Sequence, residues 1–324
     1  MNNNNLTERI EKIANTYRTV EETTRQMVVG NQHLIRAIFV TMISGGHLLI
    51  EGVPGTAKTT ICKTIARLIN YDFKRVQGAV DVQPADIIGV RVYDQNTSEF
   101  ILQKGPIFAN FLMVDEMNRL TPKTQSALLE AMSEGQATID GLTYPLPRPF
   151  FVIATQNPHE AEGTFPMIEA QRDRFMFSAV LKHLDAENEL EVIRRERAGE
   201  LNWSIYHDRI RPIITPEDVA EMAETVRQIR IDESVMTYIR DLVAATRLHS
   251  DIRLGASSRA SIAFVRGSRV LAALNGRDYV IPDDVRVLAL PVFRHRLLLT
   301  REATITGLTV DSIVNEILES VEVS

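Results

Sequence analysis

Short apolar runs alternate with amphipathic segments along the first 186 residues. Apolar residues at helical spacing predict helices over 6–28 and 31–44, and a further helix is expected to begin near Lys58. Five continuous apolar runs are typical of strands buried in a parallel sheet, at 47–51, 73–76, 111–115, 150–154 and 175–180. Strands that alternate with helices predict an α/β fold with a five-stranded parallel sheet between helices.

Two segments interrupt this alternation with the pattern of β-hairpins. Residues 88–93 and 99–102 flank a turn-prone stretch, and residues 136–139 and 142–146 flank Asp140-Gly141, a strong turn signal. Three prolines between 145 and 149 exclude the second ribbon from a sheet interior. Both hairpins are therefore expected to project from the sheet, either as functional loops or as surface decoration.

The pattern changes after about residue 186, where no further core strand is indicated. Thr215 and Pro216 read as the cap and first position of a helix, and Ser257 or Ser258 can cap another. We therefore expect an α/β core over residues 1–186 and a small all-α domain over residues 187–324.

Composition narrows the class of protein. The chain of 324 residues has a net charge of −6, which gives no general attraction to nucleic acid or to anionic membranes. Cys62 is the single cysteine, so no intramolecular disulfide forms, and we expect it inside a helix as a small apolar residue. No apolar run approaches the roughly 20 residues of a spanning helix, and the first residues lack an export signal. These features favour a cytoplasmic protein without direct membrane insertion.

The first chemical motif follows the first predicted strand. From Gly52 to Thr59 the chain matches the phosphate-loop pattern G-x-x-x-x-G-K-[ST], except that Ala57 replaces the last glycine. A helical φ at Ala57 would accommodate the extra methyl group. Lys58 is expected to reach the β- and γ-phosphates, and the Thr59 hydroxyl to hold Mg²⁺. The nucleotide-binding residues expected from this motif are Gly52, Pro54, Gly55, Thr56, Ala57, Lys58, Thr59 and Thr60.

The second motif is a pair of acidic residues that ends the third predicted strand. Asp115 and Glu116 follow four apolar residues, as in a Walker B motif. Parallel strands of open α/β sheets present such groups at the edge where ligands bind. Asp115 is expected to bind Mg²⁺, directly or through water, and Glu116 to polarise the attacking water.

Longer motifs make the chain similar to one family. It resembles the MoxR family of AAA+ ATPases from about residue 28 to residue 298. The stretches that carry this resemblance are 52–59 (GVPGTAKT), 105–110 (GPIFAN), 115–119 (DEMNR), 123–132 (KTQSALLEAM), 154–158 (ATQNP), 169–175 (EAQRDRF) and 255–260 (GASSRA).

The resemblance implies roles that composition does not give. Asn157 matches sensor 1, which orients the lytic water, although an asparagine before proline is also common in turns. Arg174 matches the arginine finger that acts on ATP of a neighbouring subunit, and Arg172 is a nearby alternative. A solvated or ion-paired arginine is the competing interpretation of either residue.

Further implied assignments concern the nucleotide and the lid. Arg259 resembles sensor 2, at the start of a lid helix that reaches the phosphates. Val29 and Gly30 resemble the segment that lines the adenine pocket. Gln77 is a candidate to restrain Glu116 until a partner binds. The two hairpins correspond to inserts that face the central pore in related machines.

The main hypothesis is thus a homo-oligomeric ring, which the resemblance implies to be a hexamer, that uses ATP/ADP and Mg²⁺ to remodel a client protein. The resemblance implies a client with a von Willebrand factor A domain. The rival readings are a GTPase, from Asp86-x-x-Gly89 but without an N-K-x-D sequence, a DNA-acting AAA+ motor, and a nucleotide-dependent scaffold. The seven histidines show no zinc-ligand spacing. Arg294, His295, Arg296 and Arg301 form a basic stretch that is expected to be a solvated face, with contact to acids of an adjacent subunit as the alternative.

Overall fold

A computed structural model describes residues 3–53, 55–157, 163–200 and 210–323. The strands are β1 (Leu48–Gly52), β2 (Phe73–Gln77), β3 (Gly89–Asp94), β4 (Glu99–Lys104), β5 (Phe111–Asp115), β6 (Gln136–Ile139), β7 (Leu142–Pro145), β8 (Phe151–Gln156), β9 (Phe177–Leu181), β10 (Ile252–Leu254) and β11 (Leu298–Leu299). The helices are α1 (Asn3–Met27), α2 (Gln32–Ile43), α3 (Lys58–Leu68), α4 (Pro84–Ile88), α5 (Pro122–Glu134), α6 (Glu169–Arg172), α7 (Ala186–Arg197), α8 (Pro216–Arg227), α9 (Glu233–Leu248), α10 (Ser258–Leu274), α11 (Pro282–Phe293), α12 (Arg301–Ile305) and α13 (Val310–Ser320).

The predicted five-stranded parallel sheet is confirmed. Its strand order is β2-β5-β8-β1-β9, and every neighbouring pair runs parallel. Parallel strands place their carboxyl ends on one edge, so Gly52, Gln77, Asp115 and Gln156 end their strands on the same side. The register of β2 and β5 pairs Gln77 directly with Asp115. This edge carries the candidate site.

Successive residues of the central strands pack into two separate hydrophobic clusters. On β5, Phe111 and Met113 face a cluster that includes α1, α2 and α3, whereas Leu112 and Val114 face a cluster that includes α5. This alternation follows from the two-residue period of a strand. Both faces of the sheet are therefore covered, as the continuous apolar runs predict.

Both hairpins are present as separate two-stranded ribbons. β3 pairs with β4, and β6 pairs with β7. Asp140 and Gly141 both have positive φ, the conformation that a tight two-residue hairpin turn requires. The ribbon of β3 and β4 exposes aromatic side chains, with Tyr93 and Phe100 more than half exposed.

The C-terminal region is a bundle of helices that shares the cluster on the α1 side of the sheet. The Thr215 hydroxyl accepts a hydrogen bond from the backbone N–H of Asp218, and the Ser257 hydroxyl caps α10. The structure adds one small antiparallel pair, β10 with β11, which is too short for its pattern to be recognised in the sequence. Within the described ranges no helix has both the length and the apolarity to cross a membrane.

The expectation of a solvated face from Arg294 to Arg296 is wrong. His295 and Arg296 are buried, because the chain after α11 turns back against the start of β9. The Arg296 guanidinium donates to the carbonyl oxygens of Phe175 and Met176 and forms an ion pair with Asp173, with Nε 2.9 Å from Oδ1. Buried charge of this kind needs such partners, and the sequence alone does not reveal them.

Candidate nucleotide site

The phosphate loop joins β1 to α3 at the edge where the parallel strands end. Gly55 has a φ of +79°, which favours glycine and explains this residue in the loop. The first backbone N–H groups of α3 have no partner within the helix and point toward the loop, which suits an anion. Pro54 lies outside the described residues.

Ala57 does not have the helical φ that the sequence analysis required. Its φ is +58° and its ψ is +18°, in the left-handed region. The reason is its place in the chain, since Ala57 is the cap residue immediately before α3 and not part of the helix. A non-glycine residue in this conformation costs roughly 1–2 kcal/mol.

Lys58 folds back over the loop. Its ammonium group donates to the carbonyl oxygens of Gly52 and Val53 at 3.1 and 2.9 Å. Burial lowers the pKa of Lys58, and the nearby carboxylates of Asp115 and Glu116 partly oppose this effect. Among the described residues, the ammonium donates only to these neutral carbonyls, so an anionic phosphate in the loop would be a stronger partner.

The Walker B residues are held by a threonine of the next strand. The Thr155 hydroxyl donates to Asp115 Oδ1 at 3.1 Å and accepts from the backbone N–H of Glu116 at 2.9 Å. Glu116 has a φ of +53°, an uncommon conformation for a non-glycine residue. Strain of this kind persists only where surrounding contacts maintain it, and the bond between the Glu116 N–H and Thr155 is one of them. Thr155 was not predicted as a site residue from the sequence.

Two side chains of β2 reach the same carboxylates. Gln77 Nε2 donates to Glu116 Oε2 at 2.9 Å, which is the contact that its suggested restraining role needs. Arg75 Nε lies 2.6 Å from Asp115 Oδ2, and Arg75 Nη2 donates to Gln77 Oε1 at 2.8 Å. Arg75 was not anticipated, because nothing in the sequence indicates that β2 lies beside β5.

These groups surround one cavity of about 430 Å³. It is lined by Gly52, Gly55, Thr56, Ala57, Lys58, Thr59, Thr60, Arg75, Gln77, Asp115, Glu116, Thr155, Gln156 and Asn157. The structure therefore brings the described phosphate-loop, Walker B and sensor 1 candidates together, although they come from three separate parts of the chain.

A second cavity of about 330 Å³ adjoins the first, because Gly55, Thr56, Ala57 and Thr60 line both. Val29 lines this second cavity, as expected for the adenine pocket. Gly30 does not line it, and the remaining lining residues are Met27, Val28, Asn31, His183, Leu184, Glu189 and Val192.

Three candidate arginines lie outside both cavities. Arg174 is exposed and donates to the Leu129 carbonyl and the Ser133 hydroxyl at 3.0 and 2.8 Å. Arg172 is partly buried, and its Nε has no hydrogen-bond partner among the described residues. Arg259 forms an ion pair with Asp173 at 3.2 Å. Asp173 separates Arg172 from Arg174 in the chain, so all three arginines belong to one region, and Arg259 does not reach the phosphate loop of its own chain.

The side chains at the loop fit Mg²⁺ bound together with phosphate. The described residues contain no group of three or more His, Cys, Asp or Glu side chains suited to an all-protein metal site. Mg²⁺ in phosphate-transfer sites commonly takes only one or two protein oxygens, with water and phosphate as the other ligands. Thr59 and Asp115 line the cavity and offer such oxygens.

Comparison with known proteins agrees with this geometry. Residues 47–177 match the model of the ATPase family associated with various cellular activities (AAA), and residues 244–317 match the AAA lid domain. The chain is 41% identical over 307 residues to the uncharacterized protein YeaC of Bacillus subtilis, covering 94% of each chain. It is 39% identical over 306 residues to the chaperone MoxR1 of Mycobacterium tuberculosis, covering 92% of this chain and 79% of that one.

A solved structure extends the likeness to three dimensions. The crystal structure of a candidate ATPase from Cytophaga hutchinsonii matches with a TM-score of 0.89 at 40% identity, covering 98% of this chain and 97% of that one. Proteins named MoxR from Paracoccus denitrificans and Methylorubrum extorquens match at 27% and 29% identity. On this agreement of fold, site and sequence, the chain belongs to the MoxR family of AAA+ ATPases.

Proposed function

We propose that the protein binds ATP with Mg²⁺ and hydrolyses it to ADP and phosphate. The observation that carries this proposal is the convergence of Lys58, Asp115, Glu116 and Asn157 on one cavity. The adjoining cavity beside Val29 supports a nucleotide rather than free phosphate as the ligand. Asp86 of the GTPase-like sequence caps α4 by accepting the backbone N–H of Gln83 and does not line the cavity.

Each residue has a separate task in this proposal. Lys58 and the backbone N–H groups of the loop neutralise the β- and γ-phosphates. Thr59 and Asp115 hold Mg²⁺, which supplies positive charge to the phosphate oxygens. Glu116 orients the attacking water and accepts its proton, and Asn157 fixes the position of that water.

Replacing Glu116, the proposed base, distinguishes ATP binding from ATP hydrolysis. Glu116→Gln is expected to bind ATP like the wild type and to lose about 10²–10⁴-fold of the hydrolysis rate. Lys58→Ala is expected to lose binding itself. Glu130→Gln, on the exposed side of α5, is the matched control and keeps full activity. Undiminished turnover by Glu116→Gln would remove its role, and a wild type that binds ATP without turnover would support the scaffold reading.

The proposed working form is a hexameric ring with ATP sites between subunits. The location of Arg172, Arg174 and Arg259 outside the cavities of their own chain supports this arrangement, since a neighbour's site would give them a phosphate to contact. We also propose that residues 1–186 form the nucleotide-binding core and that residues 187–324 form the lid domain. Mass measurement with and without a non-hydrolysable ATP analogue tests the ring, and a monomer under both conditions would contradict it.

The proposed task of the ring is to remodel or activate a client protein in the cytoplasm. Support comes from the relative named chaperone MoxR1 and from the exposed aromatic ribbon of β3 and β4. A von Willebrand factor A domain in the client stays a suggestion of the family resemblance. Pull-down with ATP-loaded Glu116→Gln tests the idea, and recovery of the ATPase alone would count against it.

A further inference from the structure

The Walker B aspartate already has a cationic partner in the protein. Arg75 Nε lies 2.6 Å from Asp115 Oδ2, while the other carboxylate oxygen accepts the Thr155 hydroxyl. The Asp115 side chain is 9% exposed, so water gives it little solvation. Both oxygens of this carboxylate are therefore satisfied by protein donors.

The same carboxylate is the proposed protein ligand of Mg²⁺. A hard dication binds carboxylate oxygens directly or through one ordered water. The Arg75 guanidinium occupies one approach to Asp115 Oδ2 at 2.6 Å, where a metal ion could otherwise lie. Two cations a few Å apart also repel each other, most strongly where little water separates them. The Arg75–Asp115 ion pair and the bound metal consequently compete for Asp115.

The guanidinium has room to leave. The Arg75 side chain is 42% exposed, and it lines the open cavity rather than a packed core. Its second contact, from Nη2 to Gln77 Oε1 at 2.8 Å, fixes the amide that donates to Glu116. Movement of Arg75 would therefore also release the support that holds Gln77 against Glu116.

We propose that Arg75 is a positioning residue that substitutes for Mg²⁺ on Asp115 while the metal is absent. Arrival of the metal with the nucleotide displaces the guanidinium, and this displacement loosens the Gln77 restraint on Glu116. Metal occupancy is thereby linked to how firmly Gln77 holds Glu116, whose Oε2 also forms an ion pair with Arg119 Nε at 3.1 Å. The inference rests on the proposed ATP site, but it concerns the cost of metal binding rather than the chemistry of hydrolysis.

The test is an equilibrium titration of Mg²⁺ in the presence of a fluorescent, non-hydrolysable ATP analogue. Arg75→Gln is expected to lower the Mg²⁺ concentration at half-saturation by about fivefold, because a charge-assisted contact no longer competes. Nucleotide affinity at saturating Mg²⁺ stays at the wild-type value. Arg75→Lys keeps the competing charge and is expected to titrate close to the wild type.

Lys74→Gln is the matched control. Lys74 is the adjacent basic residue on β2, and its side chain is about half exposed and lies 3.7 Å from Asp72. The Mg²⁺ concentration at half-saturation should therefore be the same in Lys74→Gln as in the wild type. Thermal unfolding checks that each variant is folded. An unchanged midpoint in Arg75→Gln overturns the proposal. Equal loss of nucleotide affinity with and without Mg²⁺ also overturns it, since Arg75 would then be a phosphate ligand. A wild type that binds no nucleotide would refute the ATP site itself.

Discussion

Acid is expected to destabilise the fold through His47 by about 2 kcal/mol between pH 7 and pH 5, beside a separate contribution of the buried His295. His47 precedes β1, and its ring joins two other parts of the core. Nδ1 accepts the backbone N–H of Val152 at 3.1 Å, which leaves Nε2 to donate to the Met132 carbonyl at 3.1 Å. Only the neutral ring can make both bonds. Burial lowers the pKa of His47 from 6.5 to about 4.

The direction and the size of the change in stability with pH follow from the pKa values of His47 in the unfolded and folded chain. The unfolded chain takes up a proton near pH 6.5 and the folded chain only near pH 4, so stability falls as the pH falls through that window. One pH unit of difference corresponds to about 1.4 kcal/mol. The full loss is about 3.4 kcal/mol below pH 4, of which about 2 kcal/mol is reached by pH 5.

Urea unfolding of the wild type and of His47→Asn at pH 7 and pH 5 measures the contribution of His47 to the free energy of unfolding. At pH 7 the variant is expected to be about 1–3 kcal/mol less stable, because hydrogen bonds of the ring are lost. At pH 5 the difference in unfolding free energy between the two proteins becomes about 2 kcal/mol smaller, because only the wild type has the imidazole that acid destabilises. His295, whose pKa burial also lowers, contributes equally to both proteins, and His33→Asn on an exposed position serves as control. An equal gap at pH 7 and pH 5 would refute the reasoning.

Three further predictions concern other contacts. Ala57→Gly removes the left-handed strain and is expected to raise stability by up to about 1 kcal/mol in thermal unfolding, with lower stability as the contrary result. Gly78→Ala would place a methyl group against the Glu116 carbonyl oxygen, so ATP turnover should fall more than ATP binding, and an equal fall would contradict this. Arg296→Met removes the buried donor of the Phe175 and Met176 carbonyls and the buried partner of Asp173, which keeps its pair with Arg259, and should cost about 3–5 kcal/mol. Arg294→Met breaks a more exposed pair with Asp311 and should cost about 1 kcal/mol or less.

Features that depend on neighbouring residues could be predicted from the sequence. β1, the phosphate loop and α3 form one continuous segment, and four apolar residues carry Asp115 to the sheet edge. The order of these motifs in the chain was enough to predict Lys58 and Asp115 at one site, and the family resemblance added Asn157. The hairpin at Asp140-Gly141 was predictable for the same reason, since its turn type depends on two adjacent residues.

Features that depend on distant pairing could not be predicted. Arg75 reaches Asp115 only because β2 lies next to β5, and Arg296 is buried only because the chain after α11 packs against β9. Arg259 pairs with Asp173, a partner 86 positions away. Ala57 shows a different limit, because backbone conformation at a cap is set by loop closure and not by helix propensity.

The central claim is that ATP is hydrolysed at a site shared by two subunits, and turnover by mixed variants tests it most directly. Lys58→Ala lacks its own phosphate contact, and the double variant Arg172→Ala/Arg174→Ala lacks what it would give its neighbour. Each is expected to be inactive alone. In a ring of head-to-tail subunits, mixing equal amounts should restore about a quarter of the wild-type turnover, because about one interface in four then has both intact parts. A mixture as inactive as its components, while mixed rings demonstrably form, would contradict the account.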